Sequence, residues 1–236
     1  MEIVKLPCVL VLACSDTMLQ LFGSKSFGSN LRRIDALNVA VKDFIAQLKD
    51  SPTTRKMVDI AIVQVSGMYA RVAQDWTVAK DFEYQPLLST QPLSPLADGF
   101  ILAANLCKQR KEYYLNNGID YYSPQIILIT DRLPTDDEDW ENAVHLVKEI
   151  KKRKQCKVLG VIVDGCSAEK ETTERLSQLC TYPDEVMLLS SARYDLSSFL
   201  SSYIECIEAD LELSSYDNDN VEIVFEEDKQ FDIKKF

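Results

Sequence analysis

Leu6-Pro7-Cys8-Val9-Leu10-Val11-Leu12-Ala13-Cys14-Ser15-Asp16-Thr17-Met18 is the stretch whose reading decides the fold. An apolar run of strand length breaks abruptly into small polar residues. The run is continuous rather than alternating, which suits a strand covered on both faces, the habit of parallel sheets. Pro7 lies near its start, where a missing N–H is tolerated. Polar residues just past the carboxyl end of such a strand sit where open α/β sheets bind ligands. Ser15, Asp16 and Thr17 are therefore the first candidates for a site.

The chain beyond this stretch alternates helix and strand patterns. From 31 to 50, Leu31, Ile34, Leu37, Ala40 or Val41, Phe44, Ile45 and Leu48 recur at helical spacing, with Asn30 as N-cap after a Gly/Ser-rich loop over 21–29. Met57 to Val65 reads as a second strand, and Ala70 to Tyr84 contains a short antiparallel edge strand. Residues 86–95 form a loop that delivers a helix to about Tyr114, with Ser94 as N-cap and Pro95 in the first turn. Pro124 to Asp131 is another continuous apolar strand, ending in a carboxylate. A helix through Trp140 and Ile150, a strand Val158–Val163, a helix Glu169–Leu179, a strand Glu185–Leu189 and a helix Leu196 to about Leu211 complete the series. Such alternation argues for a doubly wound parallel sheet in one α/β domain over residues 1–213. Residues 214–236 read as an acidic tail, in which Val221–Phe225 is either a short strand or a peptide-like contact segment.

Composition narrows the function classes. The 236 residues carry a net charge of −11, so phosphate backbones are repelled and nucleic acid is not expected as a partner. The single histidine, His145, argues against histidine-rich metal sites and against a catalytic triad, and its helical setting suggests a half-buried packing role. Seven cysteines, most of them inside apolar or helical patterns such as Cys8, Cys107 and Cys206, read as reduced, buried thiols. No run is apolar enough to cross a bilayer, and Met-Glu-Ile-Val-Lys is not a signal-peptide start, so a cytoplasmic location without membrane contact is expected.

The sheet's carboxyl edge collects Ser15 and Thr17 after the first strand, Ser94 before a helix and Asp131 after a central strand. Hydroxyls and carboxylates together are oxygen ligands for a hard cation such as Mg2+. Here the chain resembles a von Willebrand factor A (vWA) domain. That family's metal-ion-dependent adhesion site combines Asp-x-Ser-x-Ser after the first strand, a loop Thr and a later Asp. The corresponding residues are Ala13-Cys14-Ser15-Asp16-Thr17, Ser94 within Leu93-Ser94-Pro95-Leu96, and Asp131 within Leu128-Ile129-Thr130-Asp131-Arg132. The stretches Arg33-Ile34-Asp35-Ala36-Leu37-Asn38 and Pro134-Thr135-Asp136-Asp137 are most similar to the bacterial tellurite-resistance branch. Alternation and resemblance together predict a mainly parallel six-stranded sheet with helices on both faces, the first strand central and one antiparallel edge.

The resemblance implies a non-enzymatic adaptor in a bacterial stress-response or signalling context, with metal ligands Ser15, Thr17, Ser94 and Asp131. Ala13 replaces the first carboxylate, and Arg132 brings a charge where the family has glycine, so Mg2+ binding is expected to be weak or absent. Asp16, Arg132, Asp136 and Asp137 are the candidate partner-binding residues, with Arg132 placed to grip an acidic side chain of a protein partner. Each has a plainer reading beside it. Ser15 and Thr17 cap a turn, Ser94 caps a helix, Arg132 or a backbone N–H satisfies Asp131, and Arg132 forms an internal salt bridge to Asp131 or Asp16. Asp136 to Asp139 form an acidic first turn. Tyr113, Tyr114, Tyr121 and Tyr122 read as packing or as a partner surface. The alternative function is a Mg2+-dependent phosphoryl-transfer enzyme at the same edge, but the chain has no phosphate-binding glycine loop and no Gly-x-Ser-x-Gly elbow.

Overall fold

The computed structural model describes residues 4–21, 31–89, 91–163, 168–181, 186–189 and 196–216. The expected N-cap Asn30, the loop over 22–29 and the tail from 217, with Val221–Phe225, lie outside these residues. Six strands, β1 (Leu6–Ala13), β2 (Val58–Ser66), β3 (Tyr69–Val78), β4 (Gln125–Thr130), β5 (Lys157–Val163) and β6 (Val186–Leu189), form one sheet in the order β3-β2-β1-β4-β5-β6. All pairings are parallel except β2 with β3. β1 lies between β2 and β4, and all eight of its residues are buried, as its uninterrupted apolar run requires. The β2–β3 hairpin turns on Gly67 and Met68, with Gly67 at φ 77°, where a side chain would be strained.

The helices are α1 (Arg33–Asp50), α2 (Thr54–Met57), α3 (Leu96–Asn116), α4 (Asp137–Lys152), α5 (Glu169–Gln178) and α6 (Leu196–Tyr216). Alternate β1 residues point to opposite faces, and two apolar clusters result. Leu10 and Leu12 pack with Leu37, Phe44 and Leu48 of α1 and with Leu200 and Ile204 of α6. Val9 and Val11 pack with Phe100 and Ala103 of α3, Val147 of α4 and Leu176 of α5. The sheet is thus covered on either side by helices whose apolar stripes follow the spacing read in the sequence.

Several local expectations are corrected. Helix α1 starts at Arg33, which leaves Leu31 exposed before it. The residue flanking α3 is Pro95 rather than Ser94, and the helix begins at Leu96. His145 is exposed rather than half-buried. Cys206 is exposed, whereas the other described cysteines, all free, are buried. Of the tyrosines, Tyr114 is fully buried and Tyr113 exposed.

Candidate functional site

Past Ala13 the chain leaves the sheet through a set of backbone bonds. Cys14 N–H donates to Val65 O (2.8 Å) and Asp16 N–H to Gln91 O (2.8 Å), while Ser89 Oγ donates to Ser15 O. A 3-10 turn over Asp16–Leu19 then folds Thr17 back toward the end of β4. Thr17 Oγ1 donates to Asp131 Oδ1 (3.0 Å), so the 2.9 Å contact of Ser15 Oγ with Thr17 Oγ1 has Ser15 as donor. Ser15, Thr17 and Asp131, separated by over a hundred residues, form one hydrogen-bonded line.

A residue that none of the sequence readings assigned to the site completes it. Arg33, in the first turn of α1, donates from Nη1 to Asp131 Oδ2 (3.0 Å) and to Thr17 O (3.4 Å). The side chains of Arg33 and Asp131 are only 6% and 0% exposed. Burial pushes the Asp131 carboxyl above its ordinary value, and the bonds from Thr17 and Arg33 oppose that rise. The cation beside Asp131 is therefore Arg33 rather than Arg132, and a backbone N–H also acts on the carboxyl, as one of the plainer readings has it. Arg132 points the other way. It donates to Pro92 O (2.6 Å) and lies 3.4 Å from Asp16 Oδ1, the internal pairing that was its plainer reading.

The remaining candidates are tied to structure nearby. Ser94 N–H donates to Thr135 Oγ1 (3.0 Å) and Ser94 O accepts from Thr135 N–H (3.1 Å), which clamps the loop before α3 to the loop after β4. Ser94 Oγ is buried and has no hydrogen-bond partner among the described residues. Asp136 caps not its own helix but α3, where its Oδ2 accepts the Asp98 N–H (2.9 Å). Asp137 pairs with Arg175 of α5 at 2.5 Å.

Burial raises the Asp136 carboxyl, against the pull of its backbone donors at Asp98 and Ala97. A raised acid is held at no cost below its unfolded value and costs stability as pH rises through the folded one. Asp136→Asn keeps the acceptor oxygen without the charge. It should match or exceed wild-type stability at pH 7, and the difference should vanish near pH 3, where wild type is itself protonated. Asp136→Ala loses the cap and should cost about 1 kcal/mol. Urea melts at both pH values measure this, and equal losses for the two variants would refute the capping role.

These residues suit a divalent cation poorly. Of the ligand candidates Ser15, Thr17, Ser94 and Asp131 only Asp131 is a carboxylate, and its two oxygens are engaged by Thr17 and by the Arg33 guanidinium, each at 3.0 Å. Among the described residues no three His, Cys, Asp or Glu side chains converge as a metal site. A dication would have to enter beside a fixed positive charge with one acid to offset both.

No protein-family model matches the sequence, and no curated protein does either. Solved structures do match in fold. The pilus adhesin SpaC of Lactobacillus rhamnosus GG is 14% identical with a TM-score of 0.64, over 88% of this chain and 31% of that one. The minor pilin PilB of Streptococcus sanguinis is 15% identical with a TM-score of 0.63, over 91% and 64%. The VWA domain of SpRpn10 is 15% identical with a TM-score of 0.53, over 85% and 95%. The chain thus spans about a third of SpaC and less than two thirds of PilB. The likeness is one of fold, and that fold is vWA-like.

Proposed function

We propose that this chain is a non-enzymatic protein-interaction module of the vWA type, with a degenerate adhesion site and weak or lost dependence on Mg2+, that docks a protein partner on the carboxyl edge of its sheet. The observation that supports it is where apolar side chains meet solvent. Seven of the eleven large hydrophobic residues exposed among the described residues lie at that edge, in its loops, in the 3-10 turn or at the first residue of β3: Leu19, Leu21, Leu31, Met68, Tyr69, Leu88 and Leu93. Met68, Tyr69 and Leu88 are 71–72% exposed. The hairpin tip carrying Met68 is held to the neighbouring loop by Gly67 N–H on Leu93 O (3.2 Å). Exposed apolar side chains concentrated at one edge offer a partner surface to bury.

Arg132, 30% exposed in its side chain, stands at the rim. The acidic partner group proposed for it would have to displace Asp16. With the resemblance as support, the proposed setting is a bacterial stress-response or signalling assembly of the tellurite-resistance type, in the cytoplasm. No helix among the described residues is long and apolar enough to cross a membrane. The test compares proteins captured from the native host by the wild type, by Met68→Asp/Leu88→Asp and by Arg132→Ala, with Mg2+ or with a chelator. The double variant should lose the specific partner at least tenfold while its melting temperature stays within about 2 °C of wild type, since surface changes are near neutral. Equal capture by wild type and double variant rejects this edge as the docking surface.

A further inference from the structure

We infer that the Arg33 guanidinium is a built-in cation of the sheet edge, doing what a bound divalent ion would do there: neutralising Asp131 and fixing Thr17, and through it Ser15, in one arrangement. This goes beyond the module reading and does not depend on it. Four observations carry it. Arg33 sits at the start of α1, and the helix projects its side chain inward over the end of β4, where it is almost wholly buried. Its Nη1 reaches the buried Asp131 carboxylate at 3.0 Å and the Thr17 carbonyl at 3.4 Å. The carboxylate's other oxygen receives Thr17 Oγ1, itself bonded by Ser15 Oγ. And position 13, whose carboxylate would help to hold a dication in the resembled site, is a fully buried alanine.

One carboxylate balances one guanidinium, so the Asp131 position is charge-neutral without an ion. A buried acid needs a paired cation, and a planar guanidinium supplies both charge and directed donors. Because Arg33 is part of the chain, the arrangement forms whenever the protein folds, at any concentration of free metal. A dication-dependent edge would instead empty and fill with the surrounding ion.

Melting curves of the full chain with about 5 mM Mn2+ or Mg2+, or with a chelator, test this. Wild type should melt at the same temperature in all three. Arg33→Met removes the charge while keeping bulk; it should melt lower in chelator and regain several degrees in Mn2+, because Asp131 is then a buried acid without a cation and a ligand of the folded state alone must stabilise it. Ala13→Asp/Arg33→Met supplies a second carboxylate, so its Mn2+ shift should be larger, and adding Asp131→Ala should abolish it. The gain of metal response is a readout that an ordinary buried salt bridge would not produce. Should Arg33→Met not fold in chelator, recovery of its helical signal on adding Mn2+ serves as the same readout. A Mn2+-dependent rise in wild type that Asp131→Ala removes would overturn the inference, as would Arg33→Met variants that ignore Mn2+ throughout. Neither result bears on partner capture, which the Met68→Asp/Leu88→Asp comparison decides separately.

Discussion

Asp59→Ala should cost about 3–5 kcal/mol, a large part of the stability of a domain this size. Asp59 opens β2 at the end of the sheet opposite the candidate site and is 1% exposed. Lys5 Nζ lies 3.1 Å from its Oδ1, while Arg110 Nη2 and the Tyr114 hydroxyl (2.6 Å) both donate to Oδ2. Arg110 also donates from Nε to the Tyr114 oxygen (3.1 Å) and lies over the rings of Tyr113 and Trp76, with centroids at 4.8 and 5.6 Å. One acid thus joins the entry to β1, the entry to β2 and the last turns of α3. Alanine there strands two partly buried cations and a buried hydroxyl. The cost comes from those orphaned groups rather than from the worth of any single bond. Replacing Lys5 alone should cost much less, because Arg110 and Tyr114 still satisfy the carboxylate. Denaturant melts of Asp59→Ala and Lys5→Met measure the difference, and an Asp59→Ala variant within 1 kcal/mol of wild type would show that the cluster is not what ties these elements together.

Gly99→Ala should also destabilise, against the helix propensity that favours alanine by about 1 kcal/mol. Gly99 lies in the first turns of α3, where the helix backbone presses directly on the sheet. A Cβ built there would stand 2.5 Å from Val65 Cγ2 and 3.0 Å from Val11 Cγ1. Both neighbours are β-branched strand residues with little rotameric freedom. The helix must lift or the valines must turn off their rotamers, and overpacking of this kind typically costs about 1–3 kcal/mol. Since α3 is anchored by Ser94 on Thr135 and by Asp136 on its N–H groups, lifting it also pulls at the loops of the candidate site. Val65→Ala should relieve the clash, so the double variant should lose clearly less than the sum of the single losses. Strict additivity would mean that the close approach at Gly99 is not the source of the loss.

How much of the molecule was legible in the chain follows from where each signal lies. The burial of β1, the course of its neighbours and the polar break at Ser15 are written in short contiguous patterns. A strand covered on both faces must be apolar without interruption, and its end must turn polar where the backbone leaves the sheet. Asp131 was legible for the same reason, as a carboxylate closing an apolar run. Ser94 lies in the loop the sequence indicates, but it is not the cap of α3. A Ser-Pro pair before a helix looks like a cap, while the actual cap, Asp136, arrives from a loop 38 residues away.

The signal for Arg33 was masked by its charge. It stands four residues before Leu37, seven before Ala40 and eleven before Phe44, on the apolar stripe of α1, but a charged residue in the first turn of a helix is ordinarily placed in solvent. Only the packing of α1 against the sheet brings it within 3.0 Å of an acid 98 residues later in the chain. Asp59 is the same case at the other edge, an acid inside an apolar strand whose partners come from 54 residues before it and 51 and 55 after. By itself the sequence determined the elements, their order and the polar edge, because periodicity and strand ends are local properties of the chain. Which charge meets which acid was decided by the tertiary structure alone, because a buried ion pair exists only once the crossovers have brought its two halves together and excluded water from between them.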